Sequence, residues 1–345
     1  MRTAPGQGAG VWVAQGWISA IEAMGWSVLL WNGRNADRIF EEYRPDVYFA
    51  DVRLRHKVPE RVRCGETKVL MTVDQWADEP AFPLLARQGY TTGWSAVHWV
   101  RKLNPQLLYH HASPKGIEIG WSRWRTREGR RVISLPLAGD PVIYKDDGVD
   151  ETLRCDIGFL GQYSPYKGPG LHEYLLNLVG NYHLRVFGPG WPRGVAAAEK
   201  LPDNLRNRFF KSATVQPCVH EPHARLYGVE VTERLFKVPL SGGFTIADPV
   251  ACIYDEGFFA TDELLVATSG TDMRRMVDHY VANPDERIPL IERARGRILR
   301  QHTYFHRLAQ VLRELEMPDR AAEVDAHIES GTKTGQWGHP GGVPS

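Results

Sequence analysis

The chain is short of nearly everything that would mark a specialised surface or compartment. Its four cysteines, Cys64, Cys155, Cys218 and Cys252, lie far apart, with no paired spacing and no histidine at metal-finger distance. Neither a disulfide framework nor a zinc module is expected, and reduced thiols packed as small hydrophobes in a cytoplasmic protein are. Net charge is nearly missing, since 42 basic residues meet 41 acidic ones, which argues against a surface devoted to nucleic acid or anionic membrane. No basic-then-apolar leader is recognisable, and no apolar run reaches the roughly 18 residues of a membrane span. No Asp-x-Asp pair stands at a strand end and no histidine cluster has ligand spacing, so no metal site is expected. Internal repeats are also lacking.

What is present is ordinary for a globular protein: 345 residues, 43% apolar and 24% charged. That length suggests two domains, each able to bury its own core. A glycine cluster holding Gly8 and Gly10 precedes an amphipathic pattern from Val11 to Gly25. Such a cluster either presents backbone N–H groups to a polar ligand or is a plain turn. Ser27 to Trp31 reads as a strand, Ala36 to Tyr43 as a helix, and Asp46 to Asp51 and Lys68 to Asp74 as strands. Helix-like Ala81 to Gln88, strand-like Tyr90 to Thr92 and a helix from Ser95 to Leu103 follow. Short apolar runs alternating with helices predict a parallel sheet covered on both faces.

Ligands of such sheets lie beyond the carboxyl ends of the strands, which draws attention to Asp51 and Asp74. Trp76, just after Asp74, suits stacking on a sugar ring, whereas a strand-end aspartate also serves to cap a turn. Between Gly120 and Arg131 five arginines, Arg123, Arg125 and Arg127 among them, surround Trp121 and Trp124. That mixture binds phosphates and stacks bases, or forms a solvated surface loop. It is the sequence's one footprint for an anionic acceptor.

Val132 to Pro136 is a strand, and the polar run Asp146 to Glu151 a hinge. The expected organisation is an N-terminal Rossmann-like domain over 1–146, a second over 147–313, a helix over 314–330 that packs back on the first, and a flexible tail over 331–345. In the second domain strands are expected at 156–160, 183–187, 214–216, 244–247 and 264–266. Helices are expected at 170–179, 201–210, 222–237, 272–282 and 284–300, the last kinked by Pro289.

The stretch from Thr232 to Asp248, a helix running into Gly242 and Gly243 and then a short apolar strand, is the centre of a family likeness. With Pro136 to Pro141, Cys155 to Gly161, Val186 to Trp191, the Glu263-Leu-Leu and Asn283 to Arg287 segments and His302 to Arg307, it resembles the CgeB-type spore-maturation glycosyltransferases, a branch of the group 1 enzymes. The likeness covers roughly residues 130 to 313. It implies the GT-B fold: two Rossmann-like domains whose parallel sheets face a cleft, the first holding the acceptor and the second the nucleotide-sugar donor. It further implies transfer of a sugar from a nucleotide diphosphate to a hydroxyl-bearing acceptor with retention of configuration, and the missing metal motifs favour a metal-free route.

Within that resemblance Lys167, in the loop after Gly161, matches a basic residue that contacts the diphosphate, and Arg234 and Phe236 match the Asn-x-Arg-x-Phe-Glu pattern. Thr232 replaces its asparagine and Lys237 its glutamate, the usual acceptor for the ribose hydroxyls. A lysine has no acceptor, so the change questions ordinary nucleotide binding. Gly188, Trp191 and Gln216 stand where a base is held, Gly242 and Gly243 allow close approach to the donor, and Glu263 matches a family glutamate. Plain structural readings stand beside these: Trp191 as a plug, Lys167 as a loop lysine, and Glu230–Arg234 and Glu233–Lys237 as i,i+4 braces. If the chain inverts configuration, Asp74 is the candidate general base. The alternatives are a non-catalytic nucleotide- or glycan-binding protein and a transferase that glycosylates modified nucleic acid.

Overall fold

The computed structural model describes residues 9–51, 57–73, 94–198 and 200–339. These fall into two units. Unit 1 holds the described residues up to Pro136, with Phe305–Glu329 and His339; unit 2 holds Leu137–Tyr304 and Ser330–Gly338. The division comes after Pro136, ten residues before the expected hinge, and residues 305–313 are grouped with the first unit rather than the second.

In unit 1, β1 (Val47–Asp51), β2 (Lys68–Thr72), β3 (Leu107–His110) and β4 (Val132–Ser134) form a parallel sheet in sequential order. The buried runs of β2 and β3 are the near-continuous apolar kind that a sheet covered on both faces demands. Helices α1 (Ala9–Ala23), α2 (Ala36–Tyr43), α3 (Glu60–Arg63), α4 (Trp94–Leu103), α5 (Pro114–Gly120) and α6 (Ser122–Glu128) precede or connect these strands.

Several expectations change here. Ser27 to Trp31 joins no ladder, and Leu29 and Leu30 are exposed. Trp31 instead packs edge-on to Phe40 and Tyr48, so its apolar character serves ring packing rather than strand pairing. Gly10 lies inside α1 rather than in a loop before it. The arginine-tryptophan segment is not a surface loop: α6 carries it, and Trp121 and Trp124 are core residues, Trp121 stacked on His110 at 3.8 Å. Those rings are therefore closed to bases. The expected elements at 81–88 and 90–92 lie outside the described residues.

Unit 2 is built on a six-stranded, fully parallel sheet: β5 (Cys155–Leu160), β6 (Leu184–Phe187), β7 (Ala197–Ala198), β8 (Ala213–Cys218), β9 (Thr245–Ala247) and β10 (Leu265–Val266). Their spatial order is β10-β9-β8-β5-β6-β7. The chain thus runs outward one way from β5 to β7, then returns to lay β8 on the other side of β5. The crevice outside the carboxyl ends of β5 and β8 is the switch point where this architecture binds ligands.

Helices α7 (Gly168–Tyr174), α8 (Arg206–Ser212), α9 (Pro222–Tyr227), α10 (Arg234–Leu240), α11 (Cys252–Asp255), α12 (Gly270–Ala282) and α13 (Ile288–Gln301) complete the unit. One core cluster joins Phe209, Phe210, Leu235, Phe236 and Ile298; another joins Ile157, Leu171, Val215, Ile246 and Val277. Three helix expectations are revised. Residues 222–237 form two helices, because Gly228 takes φ +68° and ends α9. Pro289 begins α13 rather than kinking it, a position where its missing N–H is harmless. After α14 (Tyr304–Glu314), the final helix α15 (Pro318–Thr334) runs into the expected tail, and Trp337 is buried against Gly331. No described helix is long and apolar enough to cross a membrane.

Candidate functional site

The loops that follow β5 and β6 are laced together. Gly161 N–H donates to Phe187 O at 2.8 Å, Tyr163 N–H to Pro189 O at 3.0 Å, and the Trp191 indole N–H to Gly161 O at 3.1 Å. Gly188 has φ +124°, and a Cβ there would stand 2.4 Å from Gly161 O. Only glycine allows that approach. Trp191 meets Phe159 edge-on at 5.4 Å and Tyr163 at 5.8 Å, so its indole plugs the loop pair and its N–H is already engaged.

Arg234 opens α10 and reaches the end of β5. Its Nη2 donates to Leu160 O, its guanidinium stacks over the Phe159 ring at 4.2 Å, and its Nη1 is buried without a hydrogen-bond partner among the described residues. Gly161 leaves room for this arginine, since a Cβ there would lie 3.2 Å from Nη2. No described carboxylate pairs with Arg234. The i,i+4 brace expected from Glu230 does not form, because helix geometry begins only at Arg234 and Glu230 instead accepts from His223 Nε2 at 2.8 Å.

Lys237, one turn further along, is half-buried, with its ammonium 6.0 Å over the Phe210 ring. It makes no hydrogen bond or ion pair with a described residue; Glu233, its expected brace, receives the Tyr304 hydroxyl at 2.5 Å. Burial pulls the Lys237 ammonium down to about 8 while Glu233 opposes that shift, and burial likewise lowers the Arg234 guanidinium. Two cations one helical turn apart thus stand desolvated, an arrangement that costs stability unless an anion joins them.

Lys167 sits in the β5 loop and pairs with Glu221 at 3.2 Å. Beneath that pair, His220 and Asp248 are fully buried: Asp248 accepts the His220 backbone N–H at 3.0 Å and lies 2.5 Å from its Nδ1, with Arg225 Nε 3.5 Å away. Cys218 closes β8 and touches Thr232 Oγ1 at 3.5 Å. Burial and the Asp248 charge raise its thiol to about 11, with Arg234 and Lys167 opposing, so it stays an inert thiol.

Other residues singled out in the sequence are placed elsewhere. Gln216 is wholly buried inside β8 and donates to Phe209 O at 3.2 Å, away from the strand end. Phe236 is core, stacked on Phe259 at 5.9 Å. Gly242, at φ +76°, and Gly243, where a Cβ would meet Phe210 O at 2.4 Å, permit α8 and α10 to pack. Glu263 caps Ala260 N–H at 2.8 Å and faces Arg297. Arg125 is exposed on α6. Gly8, Asp74 and Trp76 lie outside the described residues, as do the side chains of Asp51 and Arg123.

Sequence reasoning missed Tyr166, Glu221, His223 and the His220–Asp248 pair; the density of histidine and acid between His220 and Glu230 was the available signal. No group of three or more described His, Cys, Asp or Glu side chains is placed to hold a metal ion. Unit 1 also contains a cavity of about 430 Å³ lined by Trp17, Trp26, Phe40, Phe49 and Leu312 among others, on which no residue expected to bind or react is found.

Residues 171–313, less than half of the chain, match a family model described as glycosyl transferase-like. No curated protein matches the chain in sequence. Among solved structures, sucrose-phosphate synthase from Thermosynechococcus elongatus superimposes with a TM-score of 0.53 at 11% identity, over 81% of this chain and 75% of that one. The T4 phage β-glucosyltransferase in complex with UDP and Mn2+ gives 0.52 at 10%, over 92% and 93%. A mutant of that T4 enzyme in complex with UDP-glucose gives 0.53 at 12%, over 90% and 93%. At such identities the likeness speaks for the fold. Residues 171–313 are thus a glycosyl transferase-like segment, and the chain has the GT-B fold of glycosyltransferases.

Proposed function

We propose that the chain is a glycosyltransferase of the CgeB type that moves a sugar from a nucleotide diphosphate to a hydroxyl-bearing acceptor, without a metal and with retention of configuration. The observation that carries this reading is the pair Arg234 and Lys237: two desolvated cations that make no ion pair with a described carboxylate, Arg234 at the end of β5 and Lys237 one turn along α10. A leaving diphosphate develops charge as the glycosidic bond breaks, and fixed cations in a water-poor crevice stabilise it. Lys167 is the third cation within the same electrostatic neighbourhood, held by Glu221 until a stronger anion is present. The Lys237 substitution thus adds charge for the phosphates where the family pattern has a ribose acceptor. Arg125 and Arg127, exposed on α6, give unit 1 a place for an anionic acceptor, nucleic acid included.

The test is a titration against nucleoside diphosphates of uracil, guanine, adenine and thymine and their hexose conjugates, read by thermal stabilisation and by slow hydrolysis of the conjugate. Stabilisation with hydrolysis supports the reading; stabilisation without hydrolysis or transfer indicates a binding protein instead. The pH dependence has a definite sign. Lys237 is charged below about 8 and neutral above it, so diphosphate affinity falls by about tenfold from pH 7 to 9, and Lys237→Gln flattens the curve. Stability moves the opposite way. Between about 8 and 10.5 the unfolded chain holds the proton that native Lys237 has released, so this group raises stability as pH rises through that window.

A further inference from the structure

Half-buried lysines elsewhere in the described chain reach an oxygen: Lys68 the Leu315 carbonyl, Lys167 the Glu221 carboxylate and Lys211 that of Asp146. Lys237 reaches none among the described residues, and its nitrogen stands 6.0 Å over the Phe210 ring. The charges around it suit an anion better than a cation. Arg234 lies one turn back on α10, where side chains three residues apart are neighbours, and its Nη1 is buried with no described partner. Arg206, at the start of α8, adds a second positive charge within electrostatic range, and the Cys218 thiol at the end of β8 stays neutral. The acid of the set, Glu233, already receives the Tyr304 hydroxyl at 2.5 Å.

An amine so placed gains by becoming an anion. Burial drives its proton off, Glu233 opposes the loss, and Arg234 and Arg206 assist it. With the ammonium brought down to about 8, about half of the chains carry a neutral Lys237 at pH 8, where an ordinary lysine is under about 1% neutral. The lone pair of that amine can attack the carbon of dissolved carbon dioxide. A C–N bond forms, one C=O π bond opens to give a carboxylate, and a proton of the amine passes to water, leaving a carbamate. Both arginines then face an anion instead of a like charge, and the carbamate oxygens supply acceptors to a guanidinium whose Nη1 has no described partner. We propose that Lys237 is a carbon dioxide site, forming a carbamate that pairs with Arg234 and shuts diphosphate out of the crevice. The carbamate needs only the two cations; the exclusion of diphosphate rests on the donor reading given above.

The test incubates the full chain at pH 8 with isotope-labelled carbon dioxide, fixes any carbamate as its ester with a trialkyloxonium salt, and locates the label by peptide mass mapping. Label is expected on the peptide that holds Lys237, absent in Lys237→Gln and reduced about tenfold in Arg234→Met, the worth of a charge-assisted hydrogen bond. Pyrophosphate added to the unaltered chain is expected to lower the labelling of Lys237 as it saturates the site, a comparison that needs no variant to fold. No label on Lys237, or equal label in a folded Arg234→Met chain, overturns the proposal. Label on Lys237 that pyrophosphate leaves unchanged upholds the carbamate and overturns the exclusion together with the donor reading.

Discussion

Replacing Arg234 by methionine is expected to reduce sugar transfer by roughly 10²–10³-fold while leaving folding stability unchanged or raising it by about 1 kcal/mol. The two halves of this expectation come from one feature. In the unliganded chain the guanidinium donates, among the described residues, to Leu160 O alone and stacks on Phe159, with Nη1 buried and no described partner. Methionine keeps the contact with the ring and removes a charge that the fold does not neutralise. What it cannot do is meet the diphosphate. Arg234→Lys is expected to recover little, since an ammonium lacks the planar fork that binds the Leu160 carbonyl and a phosphate together. Urea unfolding alongside single-turnover transfer measures both halves; activity lost only in proportion to stability would show a structural arginine.

Asp248→Ala is expected to have the largest effect on stability, about 3–5 kcal/mol. The carboxylate is wholly buried and binds the His220 backbone N–H, its imidazole and Arg225, thereby joining the ends of β8 and β9 to α9. Removing it leaves a buried N–H without its acceptor and Arg225 with Glu173, 3.8 Å away, as its remaining acid. The double replacement His220→Leu, Asp248→Leu is expected to regain part of the loss, because the buried imidazole that Asp248 held goes with it, while the backbone N–H of residue 220 and Arg225 still lack that carboxylate. The urea midpoint reads both. A loss under about 1 kcal/mol would mean that the ion pair is not what holds the two strand ends.

Part of each sheet was legible because its strands are short apolar runs bounded by Gly, Pro and Asp, but β3 and β7 went unread and Ser27 to Trp31 was read as a strand that does not form. Cys155 to Leu160 and Thr245 to Ala247 could be little else. Pattern alone did not show where helix 222–237 breaks. The apolar spacing continues across Gly228, whose positive φ is a property of the fold, so Glu230 and Arg234 looked like helical neighbours when Glu230 lies outside α10. Gln216 and Phe236 are polar and aromatic residues near a glycine loop, which reads as a ligand set, yet the pleat and the helical face turn both into the core. Tyr166 and His223 are 57 positions apart in sequence. No local rule brings such residues together; the reversal of strand order between β5 and β8 does.

The central claim is that the crevice between the ends of β5 and β8 takes a diphosphate. Amide hydrogen exchange of the full chain, with and without inorganic pyrophosphate, tests it most directly. Protection is predicted over residues 161–168, 188–191 and 232–237, lost in Arg234→Met and reduced at pH 9. Unchanged exchange in those three segments, or protection confined to the aromatic cavity of unit 1, would contradict it.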